Sequence, residues 1–401
     1  VSAVGITVAI MRLLHTSDWH LGRGLHGLDL HDAQRQFISQ IVHTVREHDV
    51  DAVLIAGDVF DRAIPPVPAV KLWAQALREL SALVPVIAIS GNHDSAIRLG
   101  AASDLYREGV HLCTLIDQVG TPIVLADEHG PVAVYPIPFL DPDIARHALS
   151  DSDEPLARSH AAVLGQAMQQ VRTDLSARTA SDPATRSVVM AHAFVIAGTP
   201  PVTSESERDI RVGGVDSVPS AVFDGVDYVA LGHLHGAQRV DGEQVRYSGS
   251  PLRYSFSETR QRKQVTLVEL DANGLAEVTS VELTQPREMA IVRDTLDQLL
   301  TAEAYDRNVD DWVQVAVIDD ERPADLKRRV SERFPHALSI RHEPASGPLA
   351  SHTASHVRVP SAPDEVAASF VHYVTGGQIT EAELAAFTEA YEFARTEQVG
   401  A

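Results

Sequence analysis

Five short motifs gather residue types that bind metal ions: Asp18-Trp19-His20, Gly57-Asp58-Val59-Phe60-Asp61, Gly91-Asn92-His93-Asp94, His192 and Gly232-His233-Leu234-His235. In the Asp-x-His and His-x-His pairs, alternate residues leaving a strand point the same way, so both side chains can reach one ion. The glycines allow tight turns and close backbone approach. Asp18, His20, Asp58, Asn92, His192, His233 and His235 offer mixed oxygen and imidazole donors. Such a set suits manganese, iron or zinc better than magnesium or calcium, which prefer oxygen alone. It is too large for one tetrahedral ion but fits two ions sharing a carboxylate, an arrangement that clamps a phosphate and activates a water. His93 follows Asn92, so it lies near the ions without having to bind one, and it can protonate a leaving alkoxide. Any one of the nineteen histidines, taken singly, is more often a surface or core residue. Five motifs in order, each placed at the end of a strand, are a different matter.

Those strands are legible as short, continuously apolar runs. Ala52–Ala56, Val84–Ile89, Val132–Tyr135, Val188–Ala191 and Tyr228–Leu231 read as buried strands, and Met11 opens another strand-like stretch. Asp32–His48, Val67–Leu83 and Leu156–Ala177 carry apolar residues at helical spacing. The alternation implies an α/β domain with helices covering sheet, and the loops at strand ends are where such folds gather ligands. Residues 141–154 and 179–186 read as polar loops. Beyond Pro286 the spacing predicts a small α+β unit: a strand from Met289, a helix, Trp312–Val317 as strand, Ala324–Arg333 as helix and Ala337–Arg341 as strand. Residues 344–363 are rich in Pro, Ser, Ala and His and read as a linker. Residues 364–401 read as two helices split by Gly376-Gly377, the second opening on a capping box of Thr380 and Glu383.

The chain has 401 residues, a length that suggests two or three domains, and a formal charge of −22. One cysteine, Cys113, cannot form an internal disulfide and points to a reducing compartment, so a cytoplasmic location is expected. No apolar run approaches the ~20 residues that span a bilayer, so no membrane partner is expected. Residues 1–10 lack the basic start and cleavage site of a signal peptide and read as a non-native extension ahead of a start at Met11. The acidity argues against coating nucleic acid by bulk charge. One basic stretch stands out against it: Arg246, Arg253, Arg260, Arg262 and Lys263, with Glu258 the only acid between them. Lying just past the Gly232–His235 motif, it is a candidate contact for a phosphate backbone, as are Arg23 and Arg62, each following a metal motif. A solvated basic hairpin is the alternative.

Taken in order, these motifs resemble the calcineurin-like metallophosphoesterase superfamily. Arg12–Arg23 (RLLHTSDWHLGR), Ala56–Asp61 (AGDVFD), Ser90–Ser95 (SGNHDS) and Tyr247–Glu258 (YSGSPLRYSFSE) look like its branch of DNA nuclease subunits. The resemblance implies a layered sandwich of two sheets flanked by helices, with a small α+β capping domain and a C-terminal helical hook. In domain terms it implies a nuclease domain at 11–285, a cap at 286–343, a linker at 344–363 and a partner-binding tail at 364–401. It also implies two Mn²⁺ ions. Asp18, His20 and His235 would hold the first; Asn92, His192 and His233 the second; Asp58 would bridge. His93 would assist the leaving group and Asp61 would orient it, although Asp61 also reads as a simple turn or cap residue. The implied partners are DNA and a coiled-coil ATPase of the SbcC type, gripped by the tail. The implied assembly is a heterotetramer built on a homodimer formed through Val67–Leu83 and the stretch around Ile97–Tyr106. A phosphatase or cyclic-nucleotide phosphodiesterase on the same scaffold is the alternative enzyme, and a non-catalytic scaffold the third reading. The chain beyond residue 286 discriminates, because an esterase of small molecules needs neither cap nor hook.

Overall fold

The computed structural model describes residues 10–344, apart from 102, 107–108, 199–200, 209 and 211–216, together with residues 371, 380, 382–388 and 390. The chain divides into two compact units, one of residues 1–317 and 323–342 and one of 318–322 and 343–401.

The first unit is built in the order the chain runs. Strands β1 (Met11–Thr16), β2 (Ala52–Ala56), β3 (Val86–Ile89) and β4 (Val110–Cys113) lie parallel and begin the first sheet. The chain then builds a second sheet from β5 (Ile123–Asp127), β6 (Gly130–Ile137), β7 (Arg186–His192), β8 (Tyr228–Gly232), β9 (Gln238–Asp241) and β10 (Val245–Tyr247). It returns to the first with β11 (Gln264–Asp271), antiparallel to β1, and β12 (Gly274–Glu282). The two six-stranded sheets have orders β12-β11-β1-β2-β3-β4 and β9-β10-β8-β7-β6-β5.

The sheets face each other across a core of Leu13, Leu54, Ile87 and Ile89 against Val132, Val134, Val188, Met190 and Ala230. Helices α1 (His31–Glu47) and α2 (Val67–Leu80) cover the outside of the first sheet, packing Phe37, Ile41, Leu72 and Trp73 on Leu14, Val53, Ile55 and Val86. Helices α3 (Pro142–Ala148) and α4 (His160–Ser181) cover the second, with Val163, Ala167, Met168 and Val171 on Tyr135, Val189, Val229 and Leu231. The central strands are therefore buried on both faces, which is why their sequences are unbroken apolar runs and not alternations. Each fully buried Val, Leu or Ile contributes roughly 1.5–3 kcal/mol relative to exposure, so this four-layer stack can carry the strained loops at its end.

The structure departs from the sequence expectations in places with local causes. Residues 142–148, expected as loop, form α3: the Asp141 carboxylate accepts the Asp143 N–H at 2.9 Å and Pro142 occupies the first turn. α4 starts at His160 because the Ser159 side chain caps it by accepting the Ala162 N–H at 3.2 Å. Of the strands beyond the apolar runs, β9 and β12 lie at sheet edges and are partly to fully exposed except at Gly274.

Past Pro286, β13 (Met289–Asp294), β14 (Trp312–Val317) and β15 (Ala337–His342) form a parallel three-stranded sheet joined through α5 (Leu296–Thr301) and α6 (Leu326–Arg333). It has its own core of Val292, Leu299, Val313, Val315, Val330 and Phe334, while Met289 and Trp312 pack on the α1–α2 side of the first sheet. In the second unit, residues 382–388 are helical and the capping box forms: the Thr380 N–H donates to Glu383 Oε2 at 2.8 Å and the Glu383 N–H to Thr380 Oγ1 at 3.3 Å. Of the expected extension at 1–10 and linker at 344–363, residues 1–9 and 345–363 lie outside the described residues, as does the rest of the tail. Among the described residues no helix is long and apolar enough to cross a membrane.

Candidate metal centre

Strands β1, β2 and β3 of one sheet and β7 and β8 of the other all end at the same pole of the sandwich, and every motif residue is delivered there. Asp18 and His20 follow β1, Asp58 follows β2, Asn92 and His93 follow β3, His192 ends β7, and His233 and His235 follow β8. All are buried except Asn92 and His93, which are partly exposed. Asp18, His20, Asp58 and His233 have φ of 54°, 44°, 50° and 112°, the left-handed region that costs non-glycine residues roughly 1–3 kcal/mol each. That strain turns four side chains inward within a few residues of their strands. The loops are laced together by backbone: the Asp18 N–H donates to Gly57 O at 3.0 Å and the His20 N–H to Asp58 O at 3.0 Å.

The side chains converge. Donor atoms of Asp18, His20 and His235 lie within 4.8 Å of one another, as do those of Asp18, Asp58 and His192, and those of His20, Asp58 and His93. His20 Nε2 sits 3.0 Å from His235 Nε2, and His192 Nε2 lies 2.9 Å from Asn92 Oδ1 and 3.5 Å from Asp58 Oδ2. His233 Nδ1 lies 3.2 Å from the same Asn92 oxygen. His192 donates its Nδ1–H to the Ala56 carbonyl at 2.9 Å, since a carbonyl can only accept. Its Nε2 is then a lone pair facing an acceptor oxygen. Burial pushes the Asp18 and Asp58 carboxyls up to about 7, lowers His235 to about 4, and holds His20 and His233 well below the usual imidazole range. Neutral imidazoles and buried carboxylates whose lone pairs meet are the environment that a cation relieves. The donor set therefore fits a dinuclear metal site, and Asp58 belongs to two of the three groups.

His93 is arranged differently. Its Nδ1 donates to the Asp61 main-chain carbonyl at 2.8 Å, leaving Nε2 turned to the cluster, 4.0 Å from Asp58 Oδ2. Asp61 therefore holds His93 through its backbone. Its carboxylate instead meets Arg23 Nη1 at 3.4 Å and His20 Nδ1 at 3.7 Å.

Several residues that sequence reasoning missed support this centre. Asp94 accepts the Val59, Phe60 and Gly91 N–H groups at 3.0, 2.8 and 2.9 Å, tying the loops after β2 and β3 together. Its place two residues after Asn92 was the available signal. Ser206, Glu207 and Arg208, on the loop before β8, carry no periodic signal. Ser206 Oγ lies 2.7 Å from His235 Nδ1, Glu207 accepts the His235 N–H at 2.8 Å, and Arg208 reaches the Asn92 carbonyl at 3.4 Å.

The basic stretch is mostly spent inside the protein. Lys263, expected to contact DNA, is 2% exposed: it ion-pairs with buried Glu258 at 2.6 Å and donates to the His235 carbonyl at 2.9 Å. It has no route to a phosphate, and that expectation is corrected. Arg246 pairs with Glu243, and Arg253 donates to Glu288 at 2.8 Å. Arg260, Arg262 and Arg62 are exposed, whereas Arg23 is half-buried, donating to the Ser206 carbonyl at 2.9 Å. Desolvating two charges costs several kcal/mol per ion, so the Glu258–Lys263 pair is poor evidence for stability and better evidence for positioning.

Residues 11–237 match the family model described as calcineurin-like phosphoesterase. The chain belongs to that family, whose metallophosphoesterase chemistry agrees with the metal-ligand cluster. A second match narrows the class: residues 285–373 fit the model described as type 5 capsule protein repressor C-terminal domain (SbcD_C). A calcineurin-like phosphoesterase domain followed by this one is consistent with the SbcD nuclease subunit. Two solved structures are similar over much of the chain. One is TT1561 of Thermus thermophilus (14% identity, 68% of this chain and 99% of that one, TM-score 0.37). The other is GAP50, the anchor in the inner membrane complex of Plasmodium (10% identity, 69% and 90%, TM-score 0.37).

Proposed function

We propose that this protein is a manganese-dependent DNA nuclease subunit, an exonuclease on double-stranded ends and an endonuclease on single strands and hairpins, acting with an SbcC-type coiled-coil ATPase in cytoplasmic DNA repair and recombination. The observation that carries the reading is His93, held by the Asp61 carbonyl with Nε2 aimed at the cluster, 4.0 Å from Asp58 Oδ2. Asp18, His20 and His235 would hold one Mn²⁺, Asn92, His192 and His233 the other, with Asp58 bridging. Bound ions supply charge stabilisation for a phosphodiester and a water made nucleophilic near neutral pH. With Nδ1–H committed to the Asp61 carbonyl, His93 would deliver a proton from Nε2 to the departing oxygen as the imidazolium, a form that its burial disfavours and the nearby Asp61 charge favours. Asp94 keeps the loops of Asp58 and Asn92 in register. Arg23 and Arg208 flank Asn92 and Asp61 with positive charge suited to phosphate.

Residues 286–343 are assigned as the cap and 364–401 as the partner-binding tail; the second family match begins at 285, where the cap is placed, and runs on to 373. Val67 and Val70 on α2, and Ile97 and Leu105 beyond β3, are exposed apolar residues in the two stretches expected to form the homodimer. Incubation of hairpin and blunt-ended DNA with the protein, the ATPase partner, Mn²⁺ and ATP should give cleavage. Intact DNA would refute the reading, and strong turnover of a small phosphoester with none of DNA would favour the phosphatase or cyclic-nucleotide alternative.

The DNA contacts assigned to Arg62, Arg260 and Arg262 rest on their exposure. Replacing Arg260 and Arg262 together by alanine should weaken DNA binding and lower the slope of log affinity against log salt by about 2, with the metal content unchanged. Fluorescence anisotropy across a salt series measures this, and an unaltered slope would remove both residues from the interface.

A further inference from the structure

We infer that Glu258, braced by Lys263, is a positioning residue that fixes the tautomer of His235 through Ser206, and so sets the affinity of one half of the metal centre. The inference rests on the proposed dinuclear centre and goes beyond it in naming what orients a ligand. The hydrogen-bond chain can run in one direction only. Ser206 Oγ donates to Glu258 Oε1, and an ionised carboxylate has no proton to return. The single hydroxyl proton of Ser206 is thereby committed. Its lone pairs are left for His235 Nδ1 at 2.7 Å and the Ser204 hydroxyl at 2.7 Å. His235 Nδ1 must then carry the ring proton, which leaves Nε2 as a lone pair turned towards His20 Nε2, 3.0 Å away.

Lys263 holds both ends of this relay. Its ammonium lies 2.6 Å from Glu258 Oε2 and donates to the carbonyl of His235 itself at 2.9 Å, with Ser250 Oγ at 2.9 Å and Gln261 Oε1 at 2.8 Å. The Tyr254 N–H completes the carboxylate at 3.3 Å. Burial alone would raise Glu258; Lys263 and His235 beside it hold its carboxyl well below the usual range. Glu258 and Lys263 are 0% and 2% exposed, so neither is placed to meet substrate. The other half of the centre is oriented differently, since His192 is fixed by the Ala56 carbonyl, which side-chain substitution does not remove. An outer partner of a metal-binding histidine typically changes metal affinity 10–100-fold when lost, and here the loss should fall on one ion.

The test is calorimetric Mn²⁺ titration of the full-length protein. Wild type should take up two ions. Glu258→Gln should weaken one by roughly 10–100-fold and leave the other unchanged. Glu258→Gln also strands the Lys263 charge and can impair folding, so Ser206→Ala is the companion: it removes the hydroxyl link, leaves the ion pair intact, and leaves His235 Nδ1 only its longer direct contact with Glu258 Oε1 at 3.3 Å. It should show the same one-site loss with an unchanged melting temperature, a combination that a merely structural role would not give. Two ions bound by both variants with wild-type affinity, or both ions weakened equally, would overturn the inference while the nuclease reading stands. A wild-type protein that takes up no Mn²⁺ would overturn both.

Discussion

With His93 replaced by alanine, the protein is expected to keep its metal stoichiometry and to cleave DNA about 10²–10⁴-fold more slowly, the usual worth of a positioned general acid. His93 lies close enough to His20 and Asp58 to share an ion with them, so experiment has to separate this role from that of a ligand. His93 Nδ1 is committed to the Asp61 carbonyl at 2.8 Å, its Nε2 stands 4.0 Å from Asp58 Oδ2, and its ring is edge-on to His20 at 4.7 Å between centroids. The ring lies beside the cluster, where a leaving oxygen would emerge. Two measurements separate the readings. Metal analysis of His93→Ala should find the wild-type content; loss of one ion would make His93 a ligand instead. A diester with a p-nitrophenoxide leaving group, which departs without a proton, should lose far less rate than DNA does. An equal loss on both substrates would count against proton donation. Asp61→Asn should keep the orientation of the His93 ring, because that contact is made by the backbone, but should disfavour its protonated form, which the Asp61 charge supports.

The candidate ligands were legible because their spacing is local: each sits within four residues of a buried strand, and a strand buried on both faces announces itself as an unbroken apolar run. What the sequence concealed depends on pairings between distant segments. Lys263 read as a surface cation because its partner Glu258 looked like an isolated acid in a basic stretch, yet the fold closes Glu258, Lys263 and Ser206 around His235. Arg253 was similarly consumed by Glu288, 35 residues away. The left-handed backbone at Asp18, His20, Asp58 and His233 was also hidden, since nothing in an Asp or His residue declares that its φ is positive. The helix at Pro142–Ala148 was missed for a plainer reason: its apolar face is short, and only the Asp141-Pro142 start marks it.

The glycine that opens the last motif carries a load that its motif does not reveal. Gly232 ends β8 in the second sheet, and a Cβ there would lie 1.9 Å from the main-chain oxygen of Ala56, which ends β2 in the first. The same Cβ would lie 2.8 Å from His192 Nδ1, the atom that donates to that oxygen. The obstacle is backbone in a strand paired on both sides and buried throughout, so it cannot swing aside as a flexible side chain would. Overpacking of this kind typically costs about 1–3 kcal/mol and occasionally more, and a contact this short belongs at the upper end. Gly232→Ala should therefore lower the melting temperature by roughly 4 °C and weaken the ion proposed to be held by Asn92, His192 and His233. Gly165, inside α4, is the control: a Cβ there meets nothing within 4 Å, so alanine should stabilise by about 0.5–1 kcal/mol. Calorimetry with Mn²⁺ titration of both variants checks the pair. If Gly232→Ala melts and binds metal like wild type, the two sheets do not meet this closely at their common pole, and the metal centre would not depend on a contact that only glycine permits.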